Sequence, residues 1–195
     1  MIKPYMSKPY IISIAAPSGG GKTTVVGELK NRLANSAVLF WDDFGDEVDP
    51  SRDINDVHDY NEWNTKPVAA VIERLLSEPY DYIILDYPFG YMNDCVAKYI
   101  DLAVFINTPL DIALARRIIR DYTSRSTESD FGLADVDAVS LEAIDKELRD
   151  YLSRSRPTYA RFTDAHKPAS DLVVDGTKSP EEIAKIIIDF IWKEK

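Results

Sequence analysis

Residues Ala16-Pro17-Ser18-Gly19-Gly20-Gly21-Lys22-Thr23-Thr24 have the composition of an anion cradle. Three successive glycines let the main chain turn its N–H groups to one side, with no Cβ to obstruct an approaching phosphate. The helix-forming stretch behind them adds unpaired amides and the positive end of a helix dipole. In such a loop Lys22 would reach the β- and γ-phosphates of a nucleoside triphosphate, and the Thr23 hydroxyl would sit on Mg²⁺. Ser18, Gly19, Gly20, Gly21, Lys22, Thr23 and Thr24 are therefore expected to bind the cofactor. The usual pattern opens on a glycine; here that position is Ala16.

Acidic residues close two of the apolar runs. Leu39-Phe40-Trp41-Asp42-Asp43-Phe44 offers two carboxylates that would accept a proton from a substrate hydroxyl, hold the Mg²⁺ hydration shell, or simply cap a turn. Tyr82-Ile83-Ile84-Leu85-Asp86 has the form of a second metal-positioning motif, with Asp86 as the metal carboxylate. Arginines are concentrated in Arg116-Arg117-Ile118-Ile119-Arg120-Asp121 and again at Arg125. Arg117 and Arg120 stand i, i+3 on a helix and share a face, whereas Arg116 is expected to point to solvent or to pair with an acid. Guanidinium groups suit a transferring phosphoryl, whose charge spreads over three oxygens. Trp41, Phe44, Tyr60, Trp63, Tyr87, Phe89 and Tyr91 gather near the acidic strand ends, either to stack on a ring or as ordinary core. No role in catalysis is assigned to His58 or His166.

These groups need a frame to hold them. Nearly continuous apolar runs at Tyr10–Ala15, Ala37–Trp41, Tyr82–Asp86, Leu102–Ile106 and Asp171–Asp175 read as strands covered on both faces. Between them Thr23–Ala34, Lys66–Ser77, Met92–Tyr99, Pro109–Tyr122, Ser140–Ala165 and Pro180–Trp192 read as helices. The alternation predicts an α/β fold, an open parallel sheet in three layers, with ligands at the C-terminal strand ends. A length of 195 residues and 45% hydrophobic content suit one domain, 1–195. Two polar stretches interrupt the alternation: 42–65, an expected acceptor-binding segment, and approximately 120–138, an expected mobile lid.

Bulk properties set bounds. With 23 basic and 33 acidic residues, the net charge of −10 argues against binding nucleic acid through its backbone, yet leaves room for one nucleotide with Mg²⁺. The single cysteine, Cys95, excludes an internal disulfide. No apolar run is long enough to span a membrane and no signal peptide is visible, so a cytoplasmic setting is expected. The alternatives from these residues alone are a kinase for a nucleotide, sugar, cofactor precursor or antibiotic, a nucleotide-dependent switch or ATPase (although no guanine-reading Asn-Lys-X-Asp occurs), and a nucleotide-binding module without turnover.

The order of the segments resembles the uridine kinase and nicotinamide riboside kinase group. The phosphate loop, Trp41-Asp42-Asp43-Phe44, Arg116-Arg117-Ile118-Ile119-Arg120-Asp121, Arg156-Pro157 and Val174-Asp175-Gly176-Thr177-Lys178-Ser179-Pro180-Glu181-Glu182 carry the likeness, from about Tyr10 to Ile188. The resemblance implies strand order 2-3-1-4-5, an arginine-bearing lid, and ATP-dependent phosphorylation of a ribosyl 5′-hydroxyl. It implies Asp42 as the group receiving or orienting that hydroxyl, with Lys22, Arg117, Arg120 and Arg125 as its catalytic companions. Thr23 and Asp86 would hold the metal, and Thr177 and Lys178 would border adenine. Asp43, Asp59 (with Asp56 as the competitor), Trp63 and Tyr87 would meet the acceptor. Two departures stand out: Thr127 occupies the place of a second lid arginine, and Tyr87-Pro88-Phe89-Gly90 lacks the family's Glu-Gly step and its histidine.

Overall fold

A computed structural model describes residues 8–48, 59–123 and 136–193. Arg125, Asp56, His58 and most of the expected lid lie outside the described residues, as do 49–58 of the acceptor segment. The five apolar runs form one parallel sheet in the order β2-β3-β1-β4-β5. They are β1 (Tyr10–Ala15), β2 (Ser36–Phe40), β3 (Tyr82–Asp86), β4 (Leu102–Asn107) and β5 (Leu172–Asp175). The bounds differ from the sequence reading by a residue or so, because a ladder ends where its last hydrogen bond ends and not where hydrophobicity falls.

Strand periodicity divides the core in two. Ile12, Ile14, Ile84, Val104 and Ile106 face one side and pack on α1 (Lys22–Arg32) and α7 (Pro180–Lys193). Ile11, Ile83, Leu85 and Ala103 face the other, against α2 (Lys66–Leu76) and the short α3 (Asp94–Ala97). Ala15 and Phe105 on that same face meet Phe162 of α6 (Arg156–Ala169). β1, β3 and β4 are thereby covered on both sides, which is why they read as runs of Ile, Val and Leu rather than as alternations, whereas the edge strand β5 leaves Val173 exposed. Among the described residues no helix is long and apolar enough to cross a membrane.

Two expected helices are divided. Met92–Tyr99 resolves into a 3₁₀ turn, Gly90–Met92, and α3, separated by Asn93 in an extended conformation (φ −119°, ψ 113°). The buried Asn93 amide explains the break: it accepts from the Thr65 hydroxyl (2.6 Å) and donates to the Tyr60 carbonyl (2.8 Å). The long helix expected over Ser140–Ala165 is α5 (Val136–Asp150), a π turn at Tyr151–Ser155, then α6. Pro157 has no N–H to return to the preceding turn and its ring crowds that turn's carbonyl, so the ladder widens there. α4 (Leu110–Ile118) likewise ends in a π turn, Ile119–Thr123.

Candidate active site

The loop between β1 and α1 is shaped by close approach. Gly19 (φ +80°) and Gly21 (φ +94°) are left-handed, and a Cβ at Gly19 would overlap the Ala113 carbonyl oxygen of α4. Gly21 is the N-cap of α1 and gives no side-chain cap, and the first turn carries no acidic residue. The leading amides of α1 are left for an external anion, beside the positive end of the dipole.

Asp86 joins the ends of two elements. At the C-terminal end of β3, and only 4% exposed, it accepts from the Thr23 hydroxyl (2.6 Å) and forms an ion pair with Lys22. The sequence placed Thr23 and Asp86 together as metal-holding groups, and the fold brings them into contact. Their oxygens are hard donors of the kind Mg²⁺ takes.

Lys22 and Thr23 open on a cleft of about 1010 Å³, with Asp86 behind them. Ala16 to Thr24 form one wall. Trp41 and Asp42, just beyond β2, also line the cleft, as do Arg116, Arg120 and Asp121 from α4 and its π turn. Tyr159 and Phe162 of α6, with Pro88, complete the lining. Arg120 hydrogen-bonds to Asp121 (2.7 and 3.1 Å), and the charges of Asp121 and Asp42 help hold its pKa above the ordinary arginine value against partial burial. Asp42 and Arg120 thus share one field, as expected.

The arginine assignment needs correction. Arg117 turns away from the loop: its side chain, 11% exposed, pairs with Glu147 of α5 and donates to the Tyr159 hydroxyl (3.1 Å). Its guanidinium also lies 5.8 Å from the rings of Tyr151 and Tyr159. Arg116, expected to point to solvent or to pair with an acid, is exposed and also lies beside the loop. It donates to the Gly176 carbonyl (3.2 Å) and approaches the position a Gly21 Cβ would take to 3.7 Å. The signal available in sequence was Ala113, a small residue three positions earlier, where α4 comes nearest to Gly19.

The acceptor candidates are corrected too. Tyr87 is 1% exposed and belongs to the core, where burial pushes its hydroxyl pKa well up. Trp63 packs edge-on against Trp41 (6.0 Å) and Tyr87 does the same (5.7 Å), so both stand one layer behind the cleft wall. Apolar burial of these rings outweighs their use as a binding face. Asp59 caps a turn, accepting from the Asn61 N–H (2.8 Å), and Asp43 is exposed; neither lines this cleft. Thr177 and Lys178 also lie outside the lining. They sit on the β5–α7 loop, where Asp175 accepts from the Thr177 amide and hydroxyl and is held below the usual carboxylate range. Tyr159 and Phe162, which line the cleft, were not assigned to the site from sequence. They belong to elements whose approach to the loop only the fold reveals.

Comparison with known proteins bears on the same site. Residues 54–179 match the phosphoribulokinase / uridine kinase family model. A uridine kinase of Brevibacillus brevis is 24% identical over 87% of this chain and 86% of its own. One from Borrelia hermsii is 27% identical over 84% and 85%. Among solved structures, a sugar kinase from Janibacter superposes with a TM-score of 0.56 at 14% identity, covering 94% of each chain. A possible uridine kinase from Bacillus stearothermophilus gives 0.52 at 12%, covering 89% and 92%. With well over half of its length matched by that family model, the chain belongs to the phosphoribulokinase / uridine kinase family and is a small-molecule kinase built on a phosphate-binding loop.

Proposed function

We propose that the protein transfers the γ-phosphate of ATP, with Mg²⁺, to a hydroxyl of a small molecule, most specifically the 5′-hydroxyl of a nucleoside or riboside. The observation that carries this reading is that Lys22 and Thr23, both bonded to the buried Asp86, line the same cleft as Asp42. That is the arrangement an in-line transfer between a bound triphosphate and an incoming hydroxyl requires.

In this reading the amides of Gly19 to Thr24 and the Lys22 ammonium hold the triphosphate, and Ser18 borders it. Thr23 and Asp86 would hold Mg²⁺, which when bound neutralises charge on the β- and γ-oxygens. Asp42 accepts the proton of the acceptor hydroxyl as the oxygen attacks phosphorus. Arg120 and Arg116 face the transferring group, with Arg116 taking the place the sequence gave to Arg117; Arg125 would add to them. The aromatic wall of Trp41, Tyr159 and Phe162 offers ring faces to a planar base. The relatives from Brevibacillus brevis and Borrelia hermsii are uridine kinases, in keeping with such an acceptor.

The test is ADP formation from Mg·ATP, with and without a panel of nucleosides, ribosides and sugars, with products read by ³¹P NMR. Acceptor-dependent ADP and a new phosphomonoester on a nucleoside or riboside are expected. Hydrolysis at one rate regardless of acceptor overturns the proposal.

A further inference from the structure

Thr108 stands just past the end of β4 and is 3% exposed. Its hydroxyl donates to the Gly20 carbonyl across the sheet (2.8 Å). Thr108 does not line the cleft, whereas Gly20 and Gly21 do. The Gly20 carbonyl is therefore drawn away from the cleft, toward β4. No described peptide bond is cis, and across a trans peptide the carbonyl and the next N–H point in opposite directions. Holding the Gly20 carbonyl outward aims the Gly21 N–H inward.

The opposite side of Thr108 is equally constrained. A Cβ at Gly176 would overlap the Thr108 hydroxyl and lie 2.8 Å from its Cα, so only glycine lets the β5–α7 loop seat there. The Gly176 N–H donates to the Asn107 carbonyl (3.1 Å), and the Gly176 carbonyl accepts from Arg116 (3.2 Å). The hydroxyl is thus confined between the two loops that flank the nucleotide end of the cleft, with the Gly20 carbonyl as its acceptor.

We propose that Thr108 is a positioning residue for phosphate binding: its hydroxyl fixes the Gly20–Gly21 peptide so that the Gly21 amide is preset toward the anion. This rests on the nucleotide-binding reading above. The benefit is preorganisation, since an amide already aimed needs no reorientation when the triphosphate arrives. Thr108→Val keeps the shape and removes the donor; Thr108→Ser keeps the donor and removes a methyl.

The experiment is calorimetric titration of full-length wild type, T108V and T108S with Mg·ATP and, separately, with inorganic tripolyphosphate, alongside thermal melts. T108V should weaken both ligands by a similar factor, about three- to tenfold, the worth of one amide hydrogen bond. T108S should bind both as wild type does. The shared loss on tripolyphosphate is a readout that general destabilisation would not produce, since it places the defect at the phosphates. Should T108V not fold, T108A against T108S gives the same comparison. Equal affinities in T108V and wild type, or equal losses in T108V and T108S, overturn the role of Thr108 while leaving the kinase reading intact. Wild type that fails to bind either ligand overturns both.

Discussion

Gly19→Ala is the substitution whose cost the structure defines best. The new methyl would occupy a residue at φ +80° and overlap the Ala113 carbonyl, 3.0 Å from its carbon. The left-handed backbone costs an L-residue about 1–2 kcal/mol. Relief of the overlap requires α4 and the loop to separate by something on the order of 1 Å, and overpacking of that kind costs about 1–3 kcal/mol. Together these predict a loss of about 2–5 kcal/mol, which for a chain of this size lowers Tm by about 4–20 °C. The displaced element also carries Arg116, so affinity for Mg·ATP should fall about tenfold or more. Gly27→Ala is the counter-test. It lies within α1 with nothing near its notional Cβ, so it should gain about 0.5–1 kcal/mol. Thermal melts and calorimetric titration of both variants decide the matter. A G19A protein that melts with wild type and binds ATP equally well would refute the packing argument.

Other outcomes follow from the same geometry. Asp42→Asn should lower kcat by roughly 10²–10⁴-fold with little change in ATP affinity, and near-normal turnover would remove Asp42 from the role of base. Arg116→Ala should raise the KM for ATP about tenfold or more at nearly unchanged Tm. Arg117→Ala should instead cost about 1–3 kcal/mol of stability by stranding Glu147 and the Tyr159 hydroxyl; exchange of these two phenotypes would contradict the assignment. His166, stacked on Phe162 at 3.8 Å, has its pKa lowered from 6.5 chiefly by burial, against the opposing pull of the Phe162, Phe89 and Pro88 backbone. Below pH 6.5 the unfolded chain therefore takes up the proton first. Stability should be level above that pH and fall as pH drops toward the folded-state pKa, by at most about 1.4 kcal/mol per pH unit. Melts between pH 5 and 8 should show this slope in wild type and lose it in His166→Phe.

What could be read from the chain is what local physics determines. Strands buried on both faces are written as runs of Ile, Val and Leu, and the glycine loop carries its own conformational requirement, so the sheet and the cradle were legible. Spacing put Arg117 and Arg120 on one face, but the π turn at Ile119–Thr123 breaks that register, so that Arg120 lines the cleft while Arg117 pairs with Glu147; Arg116 is exposed, as read, and its contact with the Gly176 carbonyl is a tertiary fact. Tyr87 and Trp63 were visible as aromatics near acidic strand ends; their depth depends on how α2, α3 and β3 close over them, a tertiary fact. Thr108 gives no local signal, because its partner Gly20 is distant in the chain and meets it only across neighbouring strands. The break at Tyr151–Ser155 was readable in principle from Pro157, whose missing N–H is a local property.

Calorimetric titration of a non-hydrolysable ATP analogue with Mg²⁺ into wild type and Lys22→Ala addresses the cradle itself. Saturable association in wild type, largely lost in the variant at a temperature where thermal melts show both proteins folded, is the predicted result. No heat of association in wild type at millimolar ligand would contradict the account at its base.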